Sequence, residues 1–440
     1  MIKNSILNHD ELFKISPKRC FTRSRYSQLV RQGLVDLKTW LPEHDVQLSS
    51  TAIQVIDLFC GCGGMTLGFS VIGKRSGLFK LLGGVDIEKD AIASYSENFS
   101  VPTLLHDVRK IATNDSVAKD FLKKIGYDSQ KPLILIGCAP CQGFTSHRKK
   151  KWDKPDLRND LIVSFARLAA KLQPTMIIME NVPEMLSHKY WDFFSSATNT
   201  LKKAGYITKQ QIYNLAAFGV PQERFRVLMM AMKKDFSLPS PVLNRDEYVT
   251  VRGAIGHLPP VKPGFSHPLD RLHRSASHQH STLEVIKAVP KNGGTRPRGV
   301  GPKCLSKING FSDVYGRLSW DKPSITITHY ARNPASGRYV HPDQDRGLTL
   351  REAALLQSFP IGFKFVGAFD SMFKQVGESV PPAFSVAVAT NALIQIFSKT
   401  STKNDAIEDV PSLNGSVSSS FSSVIAGLKK KGGANGIYLR

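Results

Sequence analysis

The sequence predicts an α/β protein built on a parallel sheet, with a smaller, loop-rich region inserted past its middle. Three observations lead there. Short runs rich in Ile, Val and Leu alternate with segments of helical period. One such helix is complete between two of the runs. Between Pro239 and Leu318 the alternation then dissolves into Pro, Gly, His, Arg and Ser.

Residues 1–50 are polar and basic and read as an N-terminal extension, with one helix expected from about Tyr26 to Leu37. Apolar runs at Gln54–Phe59, Leu81–Val85, Thr103–Leu105, Leu133–Ile136 and Met176–Met179 read as strands of one sheet. Between the last two, Leu161, Ile162, Phe165, Leu168, Ala169 and Leu172 fall on one helical face, and Pro174 stops the pattern. Val227–Ala231 reads as a further strand. In the region that follows, Pro259-Pro260 and Gly293-Gly294 break regular elements, so 239–318 reads as a separate, basic unit. Order returns with Ile325–Thr328, a helix from Thr349 through Gln357 and another from about Pro382 to Ile396. The expected organisation is therefore an extension (1–50), a catalytic and cofactor-binding domain (51–238), the inserted region (239–318), a return to the first domain (319–398) and a tail (399–440). The tail is Ser-rich, carries Lys429-Lys430-Lys431 and is expected to be disordered.

Across 440 residues, 59 Lys and Arg stand against 36 Asp and Glu, a formal charge of +23. A polyanion is the natural partner, set against the plainer reading of a merely soluble basic surface. An anionic membrane would want a basic amphipathic helix, and none is evident. No apolar run reaches the about 18 residues of a membrane span, and residues 1–8 lack a signal-peptide core, so a cytosolic protein is expected. Six cysteines in such a chain (Cys20, Cys60, Cys62, Cys138, Cys141 and Cys304) do not read as a disulfide framework.

Ligands of open parallel sheets bind beyond the carboxyl ends of the strands, so the residues ending each apolar run belong together. The first run ends Asp57-Leu58-Phe59 and enters Cys60-Gly61-Cys62-Gly63-Gly64; the second ends at Asp86; the third leads to His106-Asp107. Glycines let a backbone approach a ligand closely, and a carboxylate 25 positions after Gly61 is placed for the two hydroxyls of a ribose. An adenosine-type cofactor fits. A dinucleotide fits poorly, because Thr66 stands where the fingerprint needs glycine. Asp107 has two readings, an acceptor for an adenine amino group or a helix cap, and Phe59 offers an aromatic face.

The next runs lead into "GCAPCQGF" (137–144) and into Glu180-Asn181. The spacing Cys138-x-x-Cys141 alone serves a redox dithiol, half a zinc site or a lone nucleophile. Zinc would need further ligands, and Cys60 and Cys62 lie in the glycine loop; a redox pair should open a helix, which Gln142-Gly143-Phe144 does not resemble. Position at the sheet edge favours Cys141 as a nucleophile, and no metal is expected.

The ordered motifs "DLFCGCGGMTLGF", "APCQGFT", "MENV", "QERFRV" and "KQVGESVPPAF" resemble those of the cytosine-C5 DNA methyltransferases, over about Val55 to Ile396. The resemblance implies a Rossmann-like S-adenosylmethionine-dependent methyltransferase sheet carrying a smaller target-recognition domain in the 239–318 region. It also implies an enzyme that turns a cytosine out of duplex DNA and attacks its C6 with Cys141. Addition of a thiolate there makes C5 nucleophilic enough to take a methyl group, and Glu180 would supply a proton to N3. By the same resemblance Ala139, Gln142, Thr145 and Gln222 contact the substrate, Arg226 holds the base, Arg224 supports the site and Asn181 steadies the cysteine loop. S-adenosylmethionine is assigned to Asp57, Phe59, Gly61, Cys62, Gly63, Gly64, Asp86, Asp107, Val108, Ser379 and Val380. Gln222, Arg224 and Arg226 are expected on one face of an incoming strand. Glu378 departs from the asparagine usual in the final motif.

The expected partner is double-stranded DNA, and the expected state is a monomer in the bacterial cytosol; the reading leaves open a restriction-modification system, whose endonuclease would act on the same site without direct contact, or an orphan modification enzyme. Two rival readings are an RNA cytosine methyltransferase on the same scaffold and a catalytically silent DNA-binding protein. The long recognition region weighs against the first, and the intact Cys141 and Glu180 against the second.

Overall fold

The computed structural model describes residues 23–42, 47–140, 160–187, 190–302 and 313–397. Its centre is a seven-stranded sheet of order β3-β2-β1-β4-β5-β7-β6. The strands are β1 (Ile53–Leu58), β2 (Phe79–Asp86), β3 (Thr103–Leu105), β4 (Leu133–Gly137), β5 (Met176–Asn181), β6 (Ile207–Asn214) and β7 (Phe225–Met232). Every residue of β1, β4 and β5 is buried, as continuous apolar runs covered on both faces should be.

The sheet is parallel through β1 to β5, but β7 runs antiparallel to β5 and to β6. This corrects the expectation of a uniformly parallel sheet. A 3-10 turn (Leu215–Phe218) and Gly219 at φ +88° reverse the chain after β6, and so short a link can join antiparallel strands only. Strand β6, "ITKQQIYN", was not anticipated: it is the outer strand, its polar residues are half exposed, and it lacks an apolar signature.

Side chains alternate across the sheet into two cores. Ile53 and Val55 join one, Ile56 and Leu58 the other. The first core lies under α1 (Arg23–Lys38), α2 (Gly64–Ser76) and the last described helix (Pro382–Phe397). At the crossing of α2 with that last helix, a Cβ on Gly68 would stand 2.2 Å from the Ser385 backbone, so only glycine permits the approach. The second core is covered by α4 (Val108–Thr113), α5 (Asp115–Lys124), α6 (Leu161–Leu172) and α7 (Trp191–Lys203), whereas α3 (Lys89–Asn98) sends Ile92 and Tyr95 to the first core.

Helix α1 forms as expected but is no appendage. Tyr26, Leu29, Val30, Gly33 and Leu37 are buried in the first core, and the spacing i, i+3, i+4, i+7, i+11 gives the physical reason. The inserted region contains α8 (Val251–Ile255), a small hairpin of β8 (Ser266–His267) and β9 (Asp270–Arg274), and α9 (His280–Lys287). It too is less separate than expected, because Val242, Val251, Ile255 and Leu318 join the first core, while Val285, Ile286, Val289, Val314, Tyr315 and Val340 form a satellite. Fully buried Arg317 organises these loops by donating to the carbonyls of Ile286, Val289, His341 and Gln344.

The return includes α10 (Leu350–Leu356), opened by a capping box of Thr349 and Glu352, then α11 (Phe369–Glu378) and α12 (Pro382–Phe397). Ile325–Thr328 does not enter the sheet; Ser324 instead bridges Gln222. No single described helix is long and apolar enough to cross a membrane. The expected tail lies outside the described residues.

Candidate active site

The glycine loop owes its shape to three left-handed residues, Phe59 (φ +60°), Gly61 (φ +53°) and Gly63 (φ +99°). Their tasks differ. Among the described residues a Cβ on Gly61 would meet nothing within 4 Å, so this residue faces open space, and its N–H donates to Asp86 Oδ2 at 2.8 Å. Gly63 instead receives the Phe99 ring, and Gly64 lies against the Val380 carbonyl. Cys62 turns its sulfur to Ser379 Oγ at 3.1 Å, and burial pushes its thiol up to about 12. Cys62, Gly64, Ser379 and Val380 thus form a seam between loop and final motif, with Ser379 Oγ donating to the Gln375 carbonyl. The sulfur of Cys62 is buried in that seam, which leaves its backbone as the part on the loop side.

Asp57, 1% exposed, accepts from Thr66 Oγ1 at 2.6 Å through Oδ2, while Oδ1 is buried without a hydrogen-bond partner among the described residues. Burial raises its carboxyl to about 7, the Thr66 bond opposing and Asp86 assisting. Asp86 also accepts from the Glu88 N–H and is itself raised, mainly by burial. At Asp107 the capping reading holds: it caps α4, accepts from the Arg109 N–H and is gripped by the Arg109 guanidinium at 2.6 Å, which lowers its carboxyl. Both its oxygens accept from Arg109, and the side chain stays about a quarter exposed. Val108 beside it is buried.

An open-faced glycine, an orphaned buried acceptor and a carboxylate at the end of the neighbouring strand fit a small ligand that bears both a cation and a sugar diol.

One strand pair away, β5 ends at Glu180-Asn181 and β7 begins beside it, with Asn181 opposite Val227. Arg226 Nε therefore reaches Glu180 Oε1 at 3.1 Å, although Oε1 finds no aligned hydrogen-bond donor among the described residues. Burial raises the Glu180 carboxyl, and Arg226 and then Arg224 restrain the rise. Asn181 Nδ2 donates to the Ala139 carbonyl at 3.1 Å while its Oδ1 accepts from the Val182 N–H, fixing the backbone two residues before Cys141. Burial holds the Cys138 thiol well above its ordinary value, with the Glu180 and Asp57 charges adding to it, so Cys138 stays protonated. Cys141, Gln142 and Thr145 lie outside the described residues.

Gln222 and Arg224 precede β7, which begins at Phe225, and both side chains bond the backbone of Ile327. Gln222 is fully buried, donates to the Leu356 carbonyl and to Gln357 Oε1, and accepts from the Ile327 N–H, so it has no path to a substrate. Arg224 donates to the carbonyls of Ile327, Gly377 and Ser379, joining the 325–328 segment to the final motif. Gln357 completes this hub by donating to Val376 and Ser379; it went unnoticed because a glutamine ending a helix carries no signal in sequence. Thr66, the partner of Asp57, was weighed only as a missing glycine. Among the described residues no three His, Cys, Asp or Glu side chains cluster as metal ligands.

Comparison with known proteins adds the chemistry. Residues 53–393 match the family of C-5 cytosine-specific DNA methylases. The type II methylase M.HgiDII of Herpetosiphon aurantiacus is 32% identical over 346 residues, 76% of this chain and 93% of its own. The type II methyltransferase M1.HphI of Haemophilus parahaemolyticus is 35% identical over 343 residues, 78% of this chain and 87% of its own. Among solved structures, the Entamoeba histolytica methyltransferase EhMeth shares the fold, with TM-score 0.54 at 18% identity over 79% of this chain and 98% of that one.

Proposed function

Since the chain belongs to the C-5 cytosine-specific DNA methylase family, we propose a residue-level account of how it methylates cytosine at C5 in DNA. S-adenosylmethionine is the methyl donor; when bound, it supplies an electrophilic methyl group on a sulfonium. Gly61, Asp57 and Asp86 form its cradle, with Phe59 and Val108 alongside, while Cys62, Gly63, Gly64, Ser379 and Val380 hold the loop in shape. Asp107 fixes α4 rather than the adenine.

The thiolate of Cys141 adds to C6 of the extruded cytosine as Glu180 delivers its proton to N3. C5 becomes nucleophilic and would take the methyl group from the sulfonium, whose sulfur leaves as a neutral thioether. Loss of the C5 proton to a base and return of the N3 proton to Glu180 then let the C5–C6 double bond re-form and expel the thiolate. The observation carrying this account is the buried Glu180, raised in proton affinity and flanked by Arg226, beside the Asn181–Ala139 bond at the root of the Cys141 loop. Arg226 sets the charge of Glu180 and orients the base, and Arg224 and Gln222 act through the backbone they brace.

The domain reading keeps a target-recognition role for 239–318, within a chain whose helix α1 belongs to the catalytic core. The type II names of the relatives support a place in a restriction-modification system; an endonuclease reading the same site separately, and a monomeric protein in the bacterial cytosol, belong to the same proposal. Expression in cells lacking cytosine methylation, with 5-methylcytosine read genome-wide at base resolution, should give one short motif modified throughout. Absence of 5-methylcytosine from cells holding folded protein would contradict the account.

A further inference from the structure

Among the described residues two aromatics stand out as strongly exposed, Phe265 on the β8–β9 hairpin and Tyr330. Tyr330 is 57% exposed, yet it is not loosely held. Its N–H donates to Thr328 Oγ1, its carbonyl accepts from the Asn333 N–H and Ser336 Oγ, and the adjoining Ala331 is buried with its N–H on the Thr328 carbonyl. Its ring leans on the imidazole of His329, with centroids 3.8 Å apart. The turn thus fixes an aromatic group facing solvent before any partner arrives, which lowers the entropic cost of binding one.

The turn is also tied to the site. Arg224 holds the Ile327 carbonyl together with those of Gly377 and Ser379, and a Cβ on Gly377 would stand 2.2 Å from the His329 nitrogen. His329 Nδ1 lies 3.9 Å from Glu378 Oε1, immediately before the seam that closes the glycine loop. Arg332, two residues on, pairs with Asp370 at the start of α11 and remains partly exposed, which ties the far side of the turn to that helix. An exposed aromatic on a rigid turn, braced to the wall of a DNA-modifying site, has the parts needed to hold a nucleobase by stacking.

We propose that Tyr330, supported by His329, is a stacking platform for a nucleobase of the DNA substrate beside the pocket that takes the target cytosine. Turning one base out of a duplex unstacks its neighbours, and an aromatic face recovers part of that loss. Tyr330 is a positioning residue, and the proposal rests on DNA being the substrate of this site.

The test compares Tyr330→Ala, Tyr330→Leu and Tyr330→Phe with the wild type. Binding to unmethylated genomic DNA is measured directly, and methyl transfer is resolved into kcat and KM for DNA. Tyr330→Ala should weaken DNA binding and raise KM by about ten- to a hundredfold, the range of one lost base stack, with kcat within about threefold. S-adenosylmethionine affinity and Tm should not change. Tyr330→Phe should restore wild-type values, and Tyr330→Leu should behave as Ala. Wild-type DNA binding in Tyr330→Ala, or equal rescue by Leu and Phe, would overturn the platform. A wild type that binds DNA but transfers no methyl group would instead count against the function proposed above, leaving the binding comparison to decide the platform.

Discussion

Asp57 holds its proton to a pH at which an ordinary aspartate lost its own long before, because burial at the end of β1 leaves Oδ1 with no donor. The sign of the consequence follows from linkage. A carboxyl raised to about 7 favours the folded state in its neutral form, in full below the ordinary carboxylate range, and this advantage fades as pH rises through 7. Its upper limit is about 4 kcal/mol, from 1.36 kcal/mol per pKa unit. Without cofactor, the wild type should therefore lose Tm relative to Asp57→Asn between pH 5 and pH 8. Thermal melts at several pH values check this, and a constant difference would mean that Asp57 finds a donor in the free protein. At this scale the sequence was partly legible. Glu180 and Asn181 are legible because they end a buried run, whereas the inward bonding of Gln222 and Arg224 is not, because their partners Ile327, Gln357 and Ser379 lie far along the chain.

The glycine loop, α2 and the start of α12 act as one clamp, and its two sides make opposite demands on glycine. Gly64→Ala would press a Cβ to 2.2 Å from the Val380 carbonyl, a backbone atom that cannot step aside. A stability loss of roughly 1–3 kcal/mol is expected. Gly61→Ala meets no atom, so its fold cost is only the left-handed backbone, roughly 1–2 kcal/mol, but the new methyl group fills the side that faces open space. Cofactor affinity should consequently fall more in Gly61→Ala, and Tm more in Gly64→Ala, as thermal melts and calorimetric titration with S-adenosylmethionine will report. The reverse ranking would reassign the loop. The elements themselves were legible wherever both faces of a strand are buried, as in β1, β4 and β5, and illegible in the half-exposed outer strand β6. The division of labour among the glycines was not legible, because it depends on Phe99 and Val380, far away in sequence.

At the scale of the molecule, the excess of 59 basic over 36 acidic residues predicts that DNA affinity falls steeply with salt. With six or more phosphates contacted, the loss is about a thousandfold or more between 50 and 200 mM salt, measured by equilibrium binding, and a flat dependence would remove the electrostatic argument. Charge and motif order could be read from the chain alone; the merging of α1 and the inserted region into one core could not, because that packing joins Gly33 to Val386 and Val251 to the sheet side. All of this scaffold serves one claim, that Cys141 and not Cys138 forms a bond to the base. DNA carrying 5-fluorocytosine at the target tests it most directly, since fluorine cannot leave C5 as a proton and the thiolate then cannot be expelled. With S-adenosylmethionine present, the wild type and Cys138→Ser should give a protein–DNA complex that survives denaturing electrophoresis, and Cys141→Ser should give none. A complex formed by Cys141→Ser, or lost equally in both folded variants, would contradict the account.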